Sequence, residues 1–507
     1  MTPTVFLIGA GPGDPGLLTL RGAELLARAD VVLYDGLSNP ALRAHAVNAQ
    51  WISVGKHGQS RIWRQDEIND EMIRHARAGR IVARLKGGDP AIFARTAEET
   101  EALRAAGIGF EVVPGITAAL AAGSYAGISI THRRFASAVA LVTGHEEPDK
   151  VTSALDWEAL ARFPGTLVIY MGVTTAATWT AALLAAGKPP ATPAAILRRC
   201  SLPDQQTVHC RLDEVADRLT PATKLRPPVI VIVGEVTRLA DQMSWFDKRP
   251  LFGQTVLVTR AEQQADELAG PLRELGAEVL LQPAIEIGPP SDASGLEQAM
   301  EDLARFDWLV FSSRNGVSYF LDRWLATGHD LRGLANNRLA AVGARTVERL
   351  RDYHLRADLE GPAMTAQSLA DSLGPGAAGR RFLLIRASRG PKTLETNLAI
   401  AGGETTSVVA YEHRDVTAAD PEIVRRMADG KIDFVTVTSD AIARSLIRIF
   451  GDDLKKTRLI SLSSGVTDTL RSCGHDVASQ AETPTMDSLI RQLTRADFRD
   501  LRDQEPH

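Results

Sequence analysis

The chain has 507 residues, 44% hydrophobic and 23% charged, which is ordinary for globular protein and enough for about three or four compact lobes. A net charge of −5 argues against a general nucleic-acid binder, which would carry a basic face. Cys200, Cys210 and Cys473 include no CxxC pair, which argues against a disulfide framework or a cysteine zinc site and suits reduced thiols in the cytoplasm.

The N-terminus has no basic leader and runs straight into a strand over Val5 to Ile8, so no signal peptide is expected. Nor does any apolar run approach the ~20 residues of a membrane span. Leu17 to Ala29 has helical spacing, and Val31 to Tyr34 reads as the next strand. Ile81–Leu85, Ala138–Thr143, Leu167–Tyr170 and Val229–Val233 are further apolar or β-branched runs. Such runs separated by helices predict α/β layers on a largely parallel sheet. Proline clusters at 188–193 and 226–228 read as loops, and the aperiodic stretch 240–253 as a domain boundary.

The second half contains a duplication. Arg260 and Arg386, Gly276 and Gly402, and Asp307 and Asp433 share one sequence offset inside similar segments. The segments beginning at Arg338 and Arg458 extend it with a small slip. The period is far longer than the roughly 20–50 residues of a solenoid repeat, so two similar α/β lobes are expected.

In the first half, Gly9-Ala10-Gly11-Pro12-Gly13-Asp14 joins a strand to a helix, and its glycines permit close backbone approach to a ligand. Asp35 lies where a ribose-binding acid of a dinucleotide fold would. Against a nicotinamide oxidoreductase, the spacing is G-x-G-x-G, and Pro12 has no N–H for a pyrophosphate. Further segments are ARLKGGDPAIF, the stretch from Val112 to Arg133, LVTGH, YMG and RPPVIVIVGEV. In this order, over residues 4 to about 246, they resemble uroporphyrinogen-III C-methyltransferases of the tetrapyrrole methyltransferase family.

The resemblance implies a two-lobed fold, a homodimer, and S-adenosylmethionine in the cleft as cofactor, with no metal. It implies cofactor contacts at Pro12, Gly87, Gly88, Asp89, Ile92, Thr117, Ala118, Met171 and Cys200. Where the family has a glycine, Cys200 departs, as do Thr96 and Ala97. It further implies that a pyrrole carbon of uroporphyrinogen III attacks the sulfonium methyl, twice, giving precorrin-2. Asp35 and Lys56 match the family's proton acceptor and donor, roles a carboxylate and an ammonium can fill. The polycarboxylate substrate calls for cations, for which Arg84, Lys86, Arg95, His132, Arg133 and Arg134 are candidates, Arg95 first.

Residues 252–494 resemble uroporphyrinogen-III synthases through the segment Leu257 to Ile287, FDWLVFSSRNGV, LAAVGARTVERL and TPTMDSLI. That implies cyclisation of hydroxymethylbilane with inversion of ring D, achieved mainly by holding the chain in place. Ser312, Ser313, Asn315, Thr438 and Ser439 are candidate carboxylate donors, and they suit helix caps equally. Tyr411 matches a tyrosine placed to assist loss of the hydroxyl. The expected organisation is a methyltransferase over 1–246, a linker over 247–253 and a synthase over 254–495. The synthase lobes would be 254–287 with 413–495, and 288–412. A soluble bifunctional enzyme with no nucleic-acid or membrane partner is expected. The alternative keeps the methyltransferase with a degenerate C-terminal binding module.

Overall fold

The computed structural model describes residues 4–55, 63–146, 154–223, 225–363 and 365–495. The chain divides into two compact units, Met1–Thr255 with Pro271–Glu278, and Val256–Gly270 with Val279–His507. Lys56 lies outside the described residues. No helix among those described is long and apolar enough to cross a membrane.

The first unit holds two sheets. One is built from β1 (Val5–Gly9), β2 (Val31–Tyr34), β3 (Gln50–Ser53), β4 (Val82–Lys86) and β5 (Phe110–Val113), in the order β3-β2-β4-β1-β5. All four pairings are parallel, and β1 and β4 are buried along their whole length, as strands covered on both faces must be. From β1 the chain passes to one side and from β4 to the other. The crevice outside their carboxyl ends is therefore a topological switch point, where open α/β sheets bind ligands.

The other sheet comprises β6 (Val139–Thr143), β7 (Thr166–Tyr170), β8 (Pro193–Arg198), β9 (Gln206–Arg211) and β10 (Val229–Val233), in the order β6-β7-β10-β8-β9. Only β6 and β7 run parallel, so the expected largely parallel sheet is wrong here. For β8 and β9 the cause is connection length. From β8 the chain returns within residues 199–205, and so short a link permits only antiparallel pairing. The segment 247–253, expected as a linker, is built into the first unit. Phe246 is buried, with its ring 4.7 Å from Tyr125 and 5.3 Å from Phe252, and Arg249 stacks 4.8 Å over Trp245.

The second unit continues with β11 (Thr255–Val258), β12 (Glu278–Leu281), β13 (Ile285–Gly288), β14 (Trp308–Phe311), β15 (Arg338–Ala341) and β16 (Leu359–Glu360). There follow β17 (Arg381–Ala387), β18 (Glu404–Asp415), β19 (Phe434–Val437), β20 (Arg458–Ser461) and β21 (Val477–Gln480). Their sheets have the orders β12-β11-β19-β20-β21 and β13-β18-β17-β14-β15-β16. Leaving β13 aside, the two orders are the same arrangement, with β18 and β17 standing where β12 and β11 stand.

The sequence repeats have therefore exchanged halves. β11 pairs with β19 and β17 with β14, so each sheet combines the first two strands of one repeat with the last three of the other. Crossing occurs at Ala284 and Val416, joined by a 3.2 Å backbone hydrogen bond. Residues 285–287 and 413–415 thus belong with the inserted lobe, contrary to the expected bounds, because β13 pairs antiparallel with β18.

A fragment spanning Ala284–Val416 contains every strand of its sheet and is expected to unfold cooperatively by circular dichroism. A fragment 254–380, a whole sequence repeat, lacks β17, β18 and β19 and is expected to show no such transition. The reverse behaviour contradicts the exchange.

Candidate active sites

In the first unit, three loops meet at the carboxyl edge of the parallel sheet. Gly88 N–H donates to Gly11 O at 2.8 Å, and Gly11 N–H to Gly88 O at 3.2 Å. A Cβ on Gly115 would stand 2.2 Å from Gly88 O and 2.8 Å from Gly9 Cα, so no side chain fits there. Asp89 fastens the loops together, one oxygen accepting from Gly115 N–H at 2.9 Å and the other from Ala91 N–H at 2.7 Å. Its carboxylate, expected to face the cofactor, first serves the main chain, with lone pairs to spare.

Gly88, at φ 72°, faces Thr117 and Ala118, which open the helix Ala118–Tyr125. Tyr170 steadies that opening: its Oη lies 2.7 Å from Thr117 Oγ1 and accepts from Ala119 N–H at 2.9 Å. Met171 follows at φ 54° and is 48% exposed. Half-buried Ile92 packs on the apolar cluster that contains Tyr170 and Cys200. Pro12 is half-buried in its turn. Cys200 is buried, which pushes its thiol up to about 12. Gly13 packs against the Cys200 carbonyl, so the loop after β1 meets Cys200 through main chain.

Six non-glycine residues among those described have positive φ, and five of them, Phe93, Arg95, Met171, Arg199 and Ser201, lie on the loops after β4, β7 and β8. Strain of about 1–3 kcal/mol per residue persists where surrounding structure enforces it, and it gathers at binding sites. Leu37 and Phe93, which the sequence reading passed over, expose apolar side chains here; Leu37 abuts Gly87, and the Phe93 ring lies 5.1 Å from Tyr170. The signal was present in Phe93, which closes the GGDPAIF segment.

Asp35 sits at the end of β2. It accepts from Gly87 N–H at 2.9 Å and Leu37 N–H at 3.0 Å, which fixes its carboxylate beside the glycine pair. Arg95 is exposed and pairs with Glu98 at 2.6 Å. Arg133 and Arg134 are exposed, and the His132 ring stacks on Phe135 at 4.7 Å. The expectation for Arg84 and Lys86 is corrected. Both are buried on β4 and bond to fully buried Glu99, and Arg84 also donates to the carbonyls of Leu85 and Leu33. They form an internal ion triad and cannot present charge to a substrate. Burial, and next Arg84, pull the Lys86 ammonium below the usual lysine range.

In the second unit, Ser313 and Ser439 occupy equivalent places and cap equivalent helices. Ser313 Oγ accepts from Gly316 N–H at 3.1 Å, and Ser439 Oγ from Ile442 N–H at 3.3 Å. Ser313 Oγ also lies 2.9 Å from Tyr411 Oη. Tyr411 is buried and stacks on Tyr319 at 5.7 Å. Burial raises its phenol above the usual range, against the hydrogen bonds from Ser313 and Asn315. Ser312 Oγ donates to Ile385 O at 3.1 Å, and Thr438 is half-buried after β19. The structure thus gathers Ser313, Asn315 and Tyr411, and gives Ser312 a structural bond.

A model of the Tetrapyrrole (Corrin/Porphyrin) Methylases matches residues 4–216, and one of Uroporphyrinogen-III synthase HemD matches residues 266–491. A porphyrin biosynthesis protein HemD from Ruminiclostridium josui is 32% identical over 502 residues, 96% of this chain and 97% of its own length. The chain belongs to this family, a tetrapyrrole methylase fused to a uroporphyrinogen-III synthase. The methylase half is 46% identical over 238 residues to an S-adenosyl-L-methionine-dependent uroporphyrinogen III methyltransferase of Methanosarcina barkeri, 47% of this chain and 93% of that protein. It is also similar to a Thermus thermophilus uroporphyrin-III C-methyltransferase solved with S-adenosylhomocysteine, at 42% identity and TM-score 0.41, over 46% of this chain and 99% of that one.

In the methylase half, Glu99→Gln strands Arg84 and Lys86 without their counter-charge. The expected cost is about 3–5 kcal/mol, read from urea unfolding of that half. An unchanged midpoint contradicts the triad.

Proposed function

We propose that the synthase half closes hydroxymethylbilane to uroporphyrinogen III and that the methylase half converts this to precorrin-2. The observation that carries the reading is the fixed carboxylate of Asp35 beside Gly87 and Gly88, at the crevice where loops from both sheets of the methylase half converge. The residues suit S-adenosylmethionine. An added Cβ on Gly88 would lie 3.7 Å from Ala118 N, so its bare main chain leaves open a cradle formed with Thr117 and Ala118. Gly87, Gly88, Thr117, Ala118, Ile92 and Met171 would hold it, with Pro12 and the Cys200 main chain at the rim. When bound, it supplies an electrophilic sulfonium methyl.

The chain's own residues do the rest. Leu37 and Phe93 offer an apolar seat to the macrocycle, and Arg95 with Arg133 offers charge to its carboxylates. Asp35 takes, at a carboxylate oxygen, the proton that leaves the alkylated ring, and Lys56 is the proposed donor. In the synthase half, orientation is the main contribution. Tyr411, kept protonated by burial, donates from Oη to the departing hydroxyl. The reading includes a cytoplasmic homodimer formed through the methylase half, with no resident metal and no membrane or nucleic-acid partner.

The Asp35→Asn variant of the full chain is expected to give type-III ring from hydroxymethylbilane at the wild-type rate. Its methylation should fall about 10²–10⁴-fold. Methylation at the wild-type rate, measured by product chromatography, removes Asp35 from the chemistry.

A further inference from the structure

Three arginines of the synthase half end on one carboxylate. Arg260 Nη1 lies 3.0 Å and Arg345 Nη1 3.4 Å from Glu267 Oε2, while Arg314 Nη1 bonds to Oε1. Among the described residues, every ion pair of these arginines ends on Glu267, so three positive charges share one negative. Arg260 is buried, Arg314 partly so, and the Arg345 side chain is 56% exposed.

Their places in the fold are as informative as their charge. Arg260 follows β11, Arg314 opens the helix after β14, and Arg345 lies in the helix after β15. All three follow the carboxyl ends of parallel strands, the side on which α/β sheets bind ligands. Glu267 and Arg260 belong to the lobe containing β11; Arg314 and Arg345 belong to the lobe containing β14. The carboxylate therefore ties the two lobes of the synthase half together. Gln264 strengthens the link, accepting from Arg260 Nη2 at 2.9 Å and reaching Asn315 Oδ1 at 3.5 Å. Asn315 is two residues from Ser313, which bonds Tyr411, so the cluster adjoins the proposed cyclisation site.

An excess of guanidinium beside a partly desolvated site is costly until an anion meets it. The planar fork of arginine suits carboxylates above other partners. We propose that Arg260, Arg314 and Arg345 seat a carboxylate side chain of the linear tetrapyrrole, and that Glu267 is an internal stand-in which latches the lobes until that carboxylate displaces it. The proposal rests on reading this half as a synthase, and it adds the part of the substrate that is held and the group that must yield.

The full chain decides it, with hydroxymethylbilane generated in situ and KM, kcat and melting temperature measured for Arg345→Gln and Glu267→Gln. Arg345 is exposed enough for its variant to fold. It is expected to raise KM about tenfold, more than it lowers kcat. Glu267→Gln keeps the shape, removes the competing charge, and is expected to lower KM about threefold. Both variants leaving KM unchanged, or Glu267→Gln raising it, overturns the proposal and marks the cluster as a structural ion network. Titration with uroporphyrin III, a stable polycarboxylate, separates the two readings. If the wild type forms only type-I ring, the synthase reading falls. Tighter uroporphyrin binding by Glu267→Gln with weaker binding by Arg345→Gln still establishes the carboxylate seat, and equal binding by all three removes it.

Discussion

The methylase half depends on one close approach of backbone. Strands β1, β4 and β5 end side by side, and their loops touch through Gly9, Gly88 and Gly115, with no room for a Cβ at Gly9 or Gly115. Asp89 locks the approach by accepting the Gly115 N–H. Because these loops are held so tightly, Gly87 can fix Asp35 from one side while Gly88 faces the start of the helix Ala118–Tyr125 on the other. Arg84 and Lys86 of the buried triad lie on the strand that feeds this point, and Glu99 on the helix that follows it. Its charges are buried and paired with one another.

The synthase half solves a different problem. A duplicated sequence with each repeat folded on itself would give two lobes joined by a single link. Exchange of strands gives two crossings instead, at Ala284 and Val416, and brings side chains from both repeats to the same strand ends. Tyr411 from one repeat meets Ser313 from the other, and Glu267 gathers arginines from both lobes. A reaction governed by orientation suits such a frame, because lobe position and substrate position are set by the same contacts.

Much of this was legible in the sequence for physical reasons. Apolar runs such as Val5–Ile8 and Val229–Val233 are strands buried on both faces, and their pattern announces it. Gly88 and Asp35 stand in segments whose neighbours constrain their geometry. β9, with Gln206, His209 and Arg211, is half-exposed and polar and carries no such pattern. Arg84 and Lys86 were assigned by charge type alone; their partner Glu99 follows after a turn and part of a helix, and periodicity does not reveal that the three meet. The arginine cluster was hidden for a similar reason. Arg260 was visible only as a mark of duplication, and its meeting with Glu267, Arg314 and Arg345 requires the strand exchange.

Fusion of the two halves has a chemical logic, since one consumes what the other makes. The central claim is that a single chain carries both reactions. The purified protein given hydroxymethylbilane and S-adenosylmethionine, with no other enzyme, tests it most directly. The account predicts a dimethylated type-III product, identified by mass and by isomer analysis. Products confined to the spontaneous type-I ring, or a type-III ring without methyl groups, would contradict it.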